Sequence, residues 1–349
     1  MKKRDVVNLI KYHMDHNDTG FVQQAQQIAA DFQSAGDEAL SQYVNALLAG
    51  SNAISPQSRG FTNAMPDFVH VEPTAQSPLP LPESIMNDIR GIINAIGNNM
   101  GVNRFLFEGK PGTGKTQSAK QIARVLSREL YMVDTSSLID SHLGQTAKNI
   151  EKLFQQLNEL AHPDKVLVLF DEIDTLAMDR TNAHDVREMG RATSAMLKGL
   201  DSLNDTVTLI ATTNLFDGFD PALIRRFDAV VNFDRYTRDD LLEVATTLMQ
   251  FYQGKSSWIM PAKRLFGKII TLMPEIPYPG DLKNIIRTSI AFSSPEDGND
   301  YLRRLYHAAL GREPDDTARL KSEGFTLKEI ETLTGVSKST VSRQLSAQE

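Results

Sequence analysis

Residues 109–116 read GKPGTGKT, and the rest of the chain is best understood outward from them. An apolar run at 102–107 precedes this stretch and a helix-like run at 117–130 follows it. Strand, glycine loop and helix, in that order, make a phosphate-binding loop. Gly109, Gly112 and Gly114 carry no Cβ, so the backbone can curl and aim its N–H groups at phosphate oxygens. The helix that follows adds its positive N-terminal end at the same point. Lys115 supplies a point charge for β and γ phosphates, and the Thr116 hydroxyl offers one coordination position to Mg²⁺.

Two further apolar runs end in polar residues suited to the same chemistry. Residues 166–170 read as a buried strand and lead into Asp171-Glu172-Ile173-Asp174, which puts carboxylates at the edge of a sheet where open α/β folds bind ligands. Asp171 is placed to hold a hydrated Mg²⁺, and Glu172 to polarise an attacking water. The run VTLIATTN at 207–214 ends in Asn214, whose amide is suited to orienting that water. Next comes a short helix, 220–228, closing on Arg225 and Arg226. Arginine's fixed charged fork suits a phosphate in its transition state, and such a pair would serve a neighbouring subunit's phosphate. The alternative is two surface arginines pairing with Asp220 and Asp228.

The remaining chain sets the surroundings. At 349 residues it predicts two or three domains. No run approaches eighteen apolar residues and the first sixteen residues are charged and mixed, so we expect a cytoplasmic protein with no membrane segment. There is no cysteine, which excludes disulfides, iron–sulfur clusters and thiol catalysis. The net charge of −7 argues against a surface coated by nucleic acid but leaves room for a local basic face. Helical spacing over residues 1–50 predicts a bundle of two or three helices, either a partner-binding adaptor or a packing appendage. Residues 51–80, rich in proline among Ser, Asn and Gln, read as an extended linker. Strand-like runs alternate with helices over 81–235, predicting a parallel sheet covered on both faces. Residues 236–310 turn helical, as a separate subdomain.

Taken together, GKPGTGKT, VLVLFDEID, TLIATTN and DPALIRRFD resemble the Walker A, Walker B, sensor 1 and arginine-finger elements of the AAA clade of AAA+ ATPases. The resemblance implies a P-loop NTPase fold, an α/β parallel-sheet core with a helical lid, and ATP with Mg²⁺ bound at subunit interfaces of a homo-oligomer, usually a hexamer. By position it implies nucleotide contacts at Gly109, Lys110, Pro111, Gly112, Thr113, Gly114, Lys115, Thr116, Gln117 and Asp171. Thr116 and Asp171 would serve the metal, the latter through water. Glu172, Asn214, Arg225 and Arg226 would be catalytic. The run Tyr278-Pro279-Gly280-Asp281-Leu282 resembles the lid motif, which brings in Gly280. Many members of the clade grip a threaded polypeptide with an aromatic where this chain has His142, beside Leu143; an imidazole offers less apolar area for that task. A second pore segment would fall at 179–187, with a polar sequence.

The tail, 311–349, has its own helix signals. Thr326 and Glu329 form a capping-box pattern, Gly335 permits a tight turn, and Ser337 caps a second helix. The segment resembles the helix-turn-helix of resolvases and transposases, which implies DNA contacts from Lys338, Ser339, Thr340 and Arg343. It departs from that pattern at Glu331, where a small residue usually lets the helices cross. From residue 310 onward six basic residues face seven acidic ones, so one copy predicts weak DNA binding. Two readings therefore stand side by side. One is an ATP-hydrolysing ring that remodels a protein partner through its N-terminal bundle, by analogy with bacterial AAA ATPases paired with a protease effector. The other is a DNA-directed ATPase anchored by its tail, regulating or helping a recombination or defence effector.

Overall fold

The computed structural model describes residues 5, 7–8, 11–12, 18–34, 41, 44, 66–73, 80–98, 100–140, 144–177, 183–256 and 258–347, with the backbone alone at 18–23, 175, 177, 183–189 and 217. They divide into two compact units, one formed by 1–64 with 159–161 and one by the rest. In the first unit, helix α1 (Asp18–Ser34) buries Ala25, Ile28 and Ala29, the inward stripe of its i, i+3, i+4 spacing.

The second unit is built on a six-stranded sheet: β1 (Val69–Glu72), β2 (Arg104–Glu108), β3 (Glu129–Val133), β4 (Val166–Phe170), β5 (Thr208–Thr213) and β6 (Ala229–Asn232). The strand order is β1-β3-β4-β5-β2-β6; β1 runs antiparallel to β3, and every other pairing is parallel. All five residues of β4 are buried, as a strand covered on both faces requires. Alternation sorts its side chains. Leu167 and Leu169 join Phe105 and Phe107 in a core closed by α2 (Glu83–Gly97) and α3 (Lys115–Val125). Phe170 points to the other face and stacks on Phe154 of α5 (Gln145–Asn158), with ring centroids 5.9 Å apart. The short helices α4 (Thr135–Leu138) and α6 (Asp174–Ala177), the long α7 (Ala183–Ser202) and the single turn α8 (Pro221–Ile224) complete this layer of the chain.

Strand β1 lies within the stretch expected to be linker. The alternating Val69-His70-Val71-Glu72 finds a free edge at β3, and Glu72 is tied to Lys120 of α3 at 2.9 Å. The prolines of this region bracket the strand rather than abolish it.

Seven helices follow the sheet: α9 (Arg238–Gln253), α10 (Lys263–Thr271), α11 (Pro279–Ala291), α12 (Asp300–Leu310), α13 (Thr317–Ser322), α14 (Leu327–Thr334) and α15 (Lys338–Ser346). The sequence suggested a boundary near residue 310. The packing crosses it: Leu320, Phe325, Ile330, Leu333 and Val341 belong to the same buried cluster as Leu241, Leu248, Ile269, Leu282 and Tyr301. Polar ties reinforce the join. Lys268 donates to Glu329 at 2.6 Å and Tyr306 to Glu323 at 2.8 Å, and Arg303 donates to Leu333 O at 3.1 Å. Each tail helix is amphipathic and short, so it needs a tertiary partner, and the lid supplies it. Among the described residues no helix is long and apolar enough to cross a membrane.

Candidate nucleotide site

Parallel register brings the ends of β2, β4 and β5 to one edge of the sheet, with Glu108 beside Thr213 and Phe170 beside Ala211. The residues that follow these strands therefore converge. Gly109, Gly112 and Gly114 adopt φ of 139°, 79° and 102°, values that side-chain-bearing residues rarely take. The loop is pinned from behind: Lys110 N donates to Asp234 Oδ1 at 2.7 Å, Thr113 Oγ1 to Lys110 O at 2.8 Å, and Tyr236 OH to Thr113 O at 2.8 Å. Burial pushes the Tyr236 phenol's pKa upward, so it stays protonated and keeps donating.

Lys115 is buried at the base of the loop, where Nζ donates to Gly109 O at 2.6 Å, Lys110 O at 2.9 Å and Asn214 Oδ1 at 2.8 Å. Burial lowers its pKa, while Asp234, Asp171, Asp174 and Glu172 oppose that shift. An ammonium held so close to carboxylates is a ready partner for an incoming polyanion. Asp171 Oδ1 accepts from both Thr116 Oγ1 at 2.8 Å and Thr212 Oγ1 at 2.6 Å. Glu172 sits at φ 51°, a strained position for a non-glycine residue, fixed by its N–H donating to Thr212 Oγ1 at 2.9 Å. Its carboxylate accepts from Asn214 Nδ2 at 3.3 Å. The strain aims this carboxylate at the cleft alongside the amide expected to work with it. The hydroxyl of Thr116 beside Asp171 fits Mg²⁺, which takes few protein oxygens and keeps water and phosphate for its other positions. Asp174, also buried, has one carboxylate oxygen with no hydrogen-bond partner.

These groups line a cleft of about 420 Å³, within the size range of small-molecule sites. Pro111, Gly112, Gly114, Lys115, Thr116, Gln117, Asp171, Glu172, Asn214 and Gly280 all contribute. Gly280 N donates to Gly112 O at 2.8 Å, so lid and loop touch backbone to backbone. Among the lining residues not singled out from the sequence are Pro80, Val244, Leu248, Lys283, Asn284 and Arg287. Gly280, Lys283, Asn284 and Arg287 share the i, i+3, i+4, i+7 stripe of α11, which is the signal that would have found the last three. The first three give the cleft an apolar end suited to a base.

The other expected site residues lie elsewhere. Arg225 and Arg226 close α8 and do not line the cleft. Lys338, Ser339, Thr340 and Arg343 lie on α15. His142 and Leu143 fall outside the described residues, and the second pore segment is described only as backbone from 183 onward.

Residues 105–235 match the family model for the ATPase family associated with various cellular activities (AAA). Among curated relatives, an uncharacterized AAA family ATPase of Sinorhizobium fredii is 40% identical over 132 residues, 38% of this chain and 39% of that protein. The ATPase family gene 2 protein homolog B of Bos taurus is 34% identical over 151 residues, 41% of this chain and 20% of that protein. The peroxisomal ATPase PEX6 of Homo sapiens is 37% identical over 150 residues, 40% of this chain and 15% of that protein. The chain thus spans well under half the length of each. A solved chain of the E. coli MS115-1 HORMA:CdnC:Trip13 complex shares the fold, with a TM-score of 0.50 and 19% identity over 65% of this chain and 88% of that one.

Proposed function

We propose that the protein hydrolyses ATP in this cleft and uses the cycle to remodel a protein partner, working as a homo-oligomer, in the manner of a hexameric ring. One observation carries the reading: Lys115, the Thr116–Asp171 pair and the Glu172–Asn214 pair meet at one cleft, while the exposed guanidinium of Arg225 has no partner among the described residues. A guanidinium displayed away from its own subunit's cleft is free to serve a neighbour's. In this reading Thr116 and Asp171 would hold Mg²⁺, which would spread the negative charge of the ATP phosphates. Lys115 and the loop amides hold the phosphates, while Asn214 and Glu172 orient and deprotonate water.

Residues 81–235 serve as the ATPase core and 236–310 as its lid, and the N-terminal unit takes the partner, a protease effector being one candidate. The structural neighbour from a multi-protein complex is consistent with a protein partner. The expected test is that Glu172→Gln keeps ATP binding and stops turnover, and that the trapped complex pulls down the partner. Turnover unchanged in Glu172→Gln would refute the assignment.

A second, DNA-directed reading rests on α15, whose sequence KSTVSRQLS holds two cations and no carboxylate, with Lys338, Ser339 and Arg343 exposed. Ser337 caps this helix and Gly335 turns into it at φ 72°, a geometry that suits a helix presented to a groove. Glu331, the departure noted in the sequence, accepts from Lys338 N at 3.0 Å and so braces the turn. A duplex titration across salt decides this reading: binding indifferent to salt, or to Lys338→Glu with Arg343→Glu, removes it.

A further inference from the structure

The two adjacent arginines of α8 are held very differently. Arg226 is engaged throughout within its own chain: Nε and Nη2 donate to the two oxygens of Asp201 at 3.0 and 3.1 Å, and Nη1 donates to Ala222 O at 3.0 Å. The Arg225 side chain is exposed and has no hydrogen-bond or ion-pair partner among the described residues. Asp201 is the penultimate residue of α7, a helix anchored beneath the sheet by the buried Leu200 and Met196. The helix α8 has four residues, far too few to be stable alone, so tertiary ties set its orientation. Leu223 and Phe227 supply an apolar tie, Asp228 pins the following turn by accepting from Asn103 N and Arg104 N at 2.8 Å, and the Asp201–Arg226 fork adds the side-chain tie to α7.

We infer that Asp201 is a positioning residue: it holds Arg226 as a strut between α7 and α8, so that Arg225 alone is presented to the nucleotide of a second copy of this chain. The inference rests on the proposed ATPase site completed in trans. The two arginines are then not equivalent. Arg225 is the catalytic cation and Arg226 its brace. A planar, bidentate fork fixes direction as well as distance, which a lysine–carboxylate pair would not do. The pair is partly exposed, with 31% of Arg226 and 55% of Asp201 accessible, and exposed pairs contribute little to stability. Its contribution is therefore orientation, and a displacement of roughly 1 Å at a reacting centre can cost about 10²-fold in rate.

The test uses the full chain and compares Asp201→Ala, Asp201→Glu, Arg226→Ala and Arg225→Ala by steady-state ATPase, ADP binding and thermal melting. Arg225→Ala should lower kcat up to ~10³-fold. Asp201→Ala and Arg226→Ala should each lower kcat by roughly 10- to 10²-fold, with KM, ADP affinity and melting unchanged; the double variant should be no worse than the worse single one. Asp201→Glu should recover part of the rate. In mixed assemblies, Asp201→Ala subunits should regain turnover with Lys115→Ala subunits, which keep their arginines, and should not regain it with Arg225→Ala subunits. Undiminished turnover in Asp201→Ala overturns the inference alone. So does a loss in Arg226→Ala as deep as in Arg225→Ala, since Arg226 would then itself reach phosphate. A wild-type chain with no turnover overturns the ATPase reading and this inference with it.

Discussion

Gly280→Ala tests the lid-to-loop contact on which the cleft depends. A Cβ at position 280 would stand 2.8 Å from Gly112 Cα and 3.2 Å from Gly112 O. Carbon atoms pack best at about 3.5 Å or more, so the two backbones must separate by about 0.7 Å. The loop cannot yield, because Lys115 bonds Gly109 O and Lys110 O while Tyr236 holds Thr113 O. The lid must therefore move. Separation weakens the bond from Gly280 N to Gly112 O, worth about 1 kcal/mol, and overpacking adds about 1–3 kcal/mol. Replacing a helical glycine with alanine returns up to about 1 kcal/mol, leaving a net cost of about 1–3 kcal/mol on the docked lid. If ATP binds between lid and loop, its dissociation constant should rise about 5- to 150-fold. Titration calorimetry with ATP measures this directly, and Gly267→Ala is the control, since that glycine lies in α10 with nothing within 4 Å of its would-be Cβ. Wild-type ATP affinity in Gly280→Ala would refute the lid's part in the site.

Other outcomes follow from the same packing. Gly199→Ala would drive a Cβ into the Phe154 ring, which is itself stacked on Phe170, so melting should fall by the equivalent of about 1–3 kcal/mol in differential scanning calorimetry. Lys283→Ala with Arg287→Ala should weaken ATP more than adenosine in competition binding, because both cations line the cleft that holds Lys115. Asp134 caps α4 through Ser136 and Ser137, whose hydrogen bonds lower its pKa to about 2. Its folded pKa lies below the ordinary value of 3.8, so its contribution is complete above that value and is lost as pH falls from about 4 toward 2. Asp134→Ala should flatten the acid limb of a stability–pH curve over that window.

The sequence reading succeeded where one face or one strand end decided the matter. The run 166–170 coincides with β4, the run 102–107 holds all of β2 but its last residue, and the run 207–214 contains β5. Because all three are parallel neighbours, motifs at their ends had to meet, which is why Lys115, Asp171, Glu172 and Asn214 could be grouped from spacing alone. Strand β1 was missed because four residues between prolines, pairing with a strand sixty positions away, leave almost no local signal. Lys283 and Arg287 were missed because their place depends on how the lid folds back over the loop. The union of lid and tail was illegible for a related reason. Amphipathic spacing in α13, α14 and α15 says that one face is buried, but not against what.

That union changes what deleting the tail means. Removing residues 315–349 takes Leu320, Phe325, Ile330, Leu333 and Val341 out of a core shared with Leu282, Ile286 and Ile290 of α11, the helix that carries Gly280. Each fully buried aliphatic or aromatic side chain contributes roughly 1.5–3 kcal/mol, so five amount to roughly 8–15 kcal/mol before the chain entropy released on deletion is set against them. Whole domains have net stabilities of only about 5–15 kcal/mol, so the lid should not keep its packing without the tail. Truncation should therefore lower the lid's melting and weaken ATP binding together, whatever α15 contacts. Lys338→Glu with Arg343→Glu, which changes only exposed positions, should leave both intact. A truncated chain that melts and binds ATP like the full one would show that the tail is a separate module. If the core is shared, any partner gripping α15 acts on a body whose other end touches the phosphate loop, and whatever factor the partner changes nucleotide affinity by, nucleotide changes the partner's by the same.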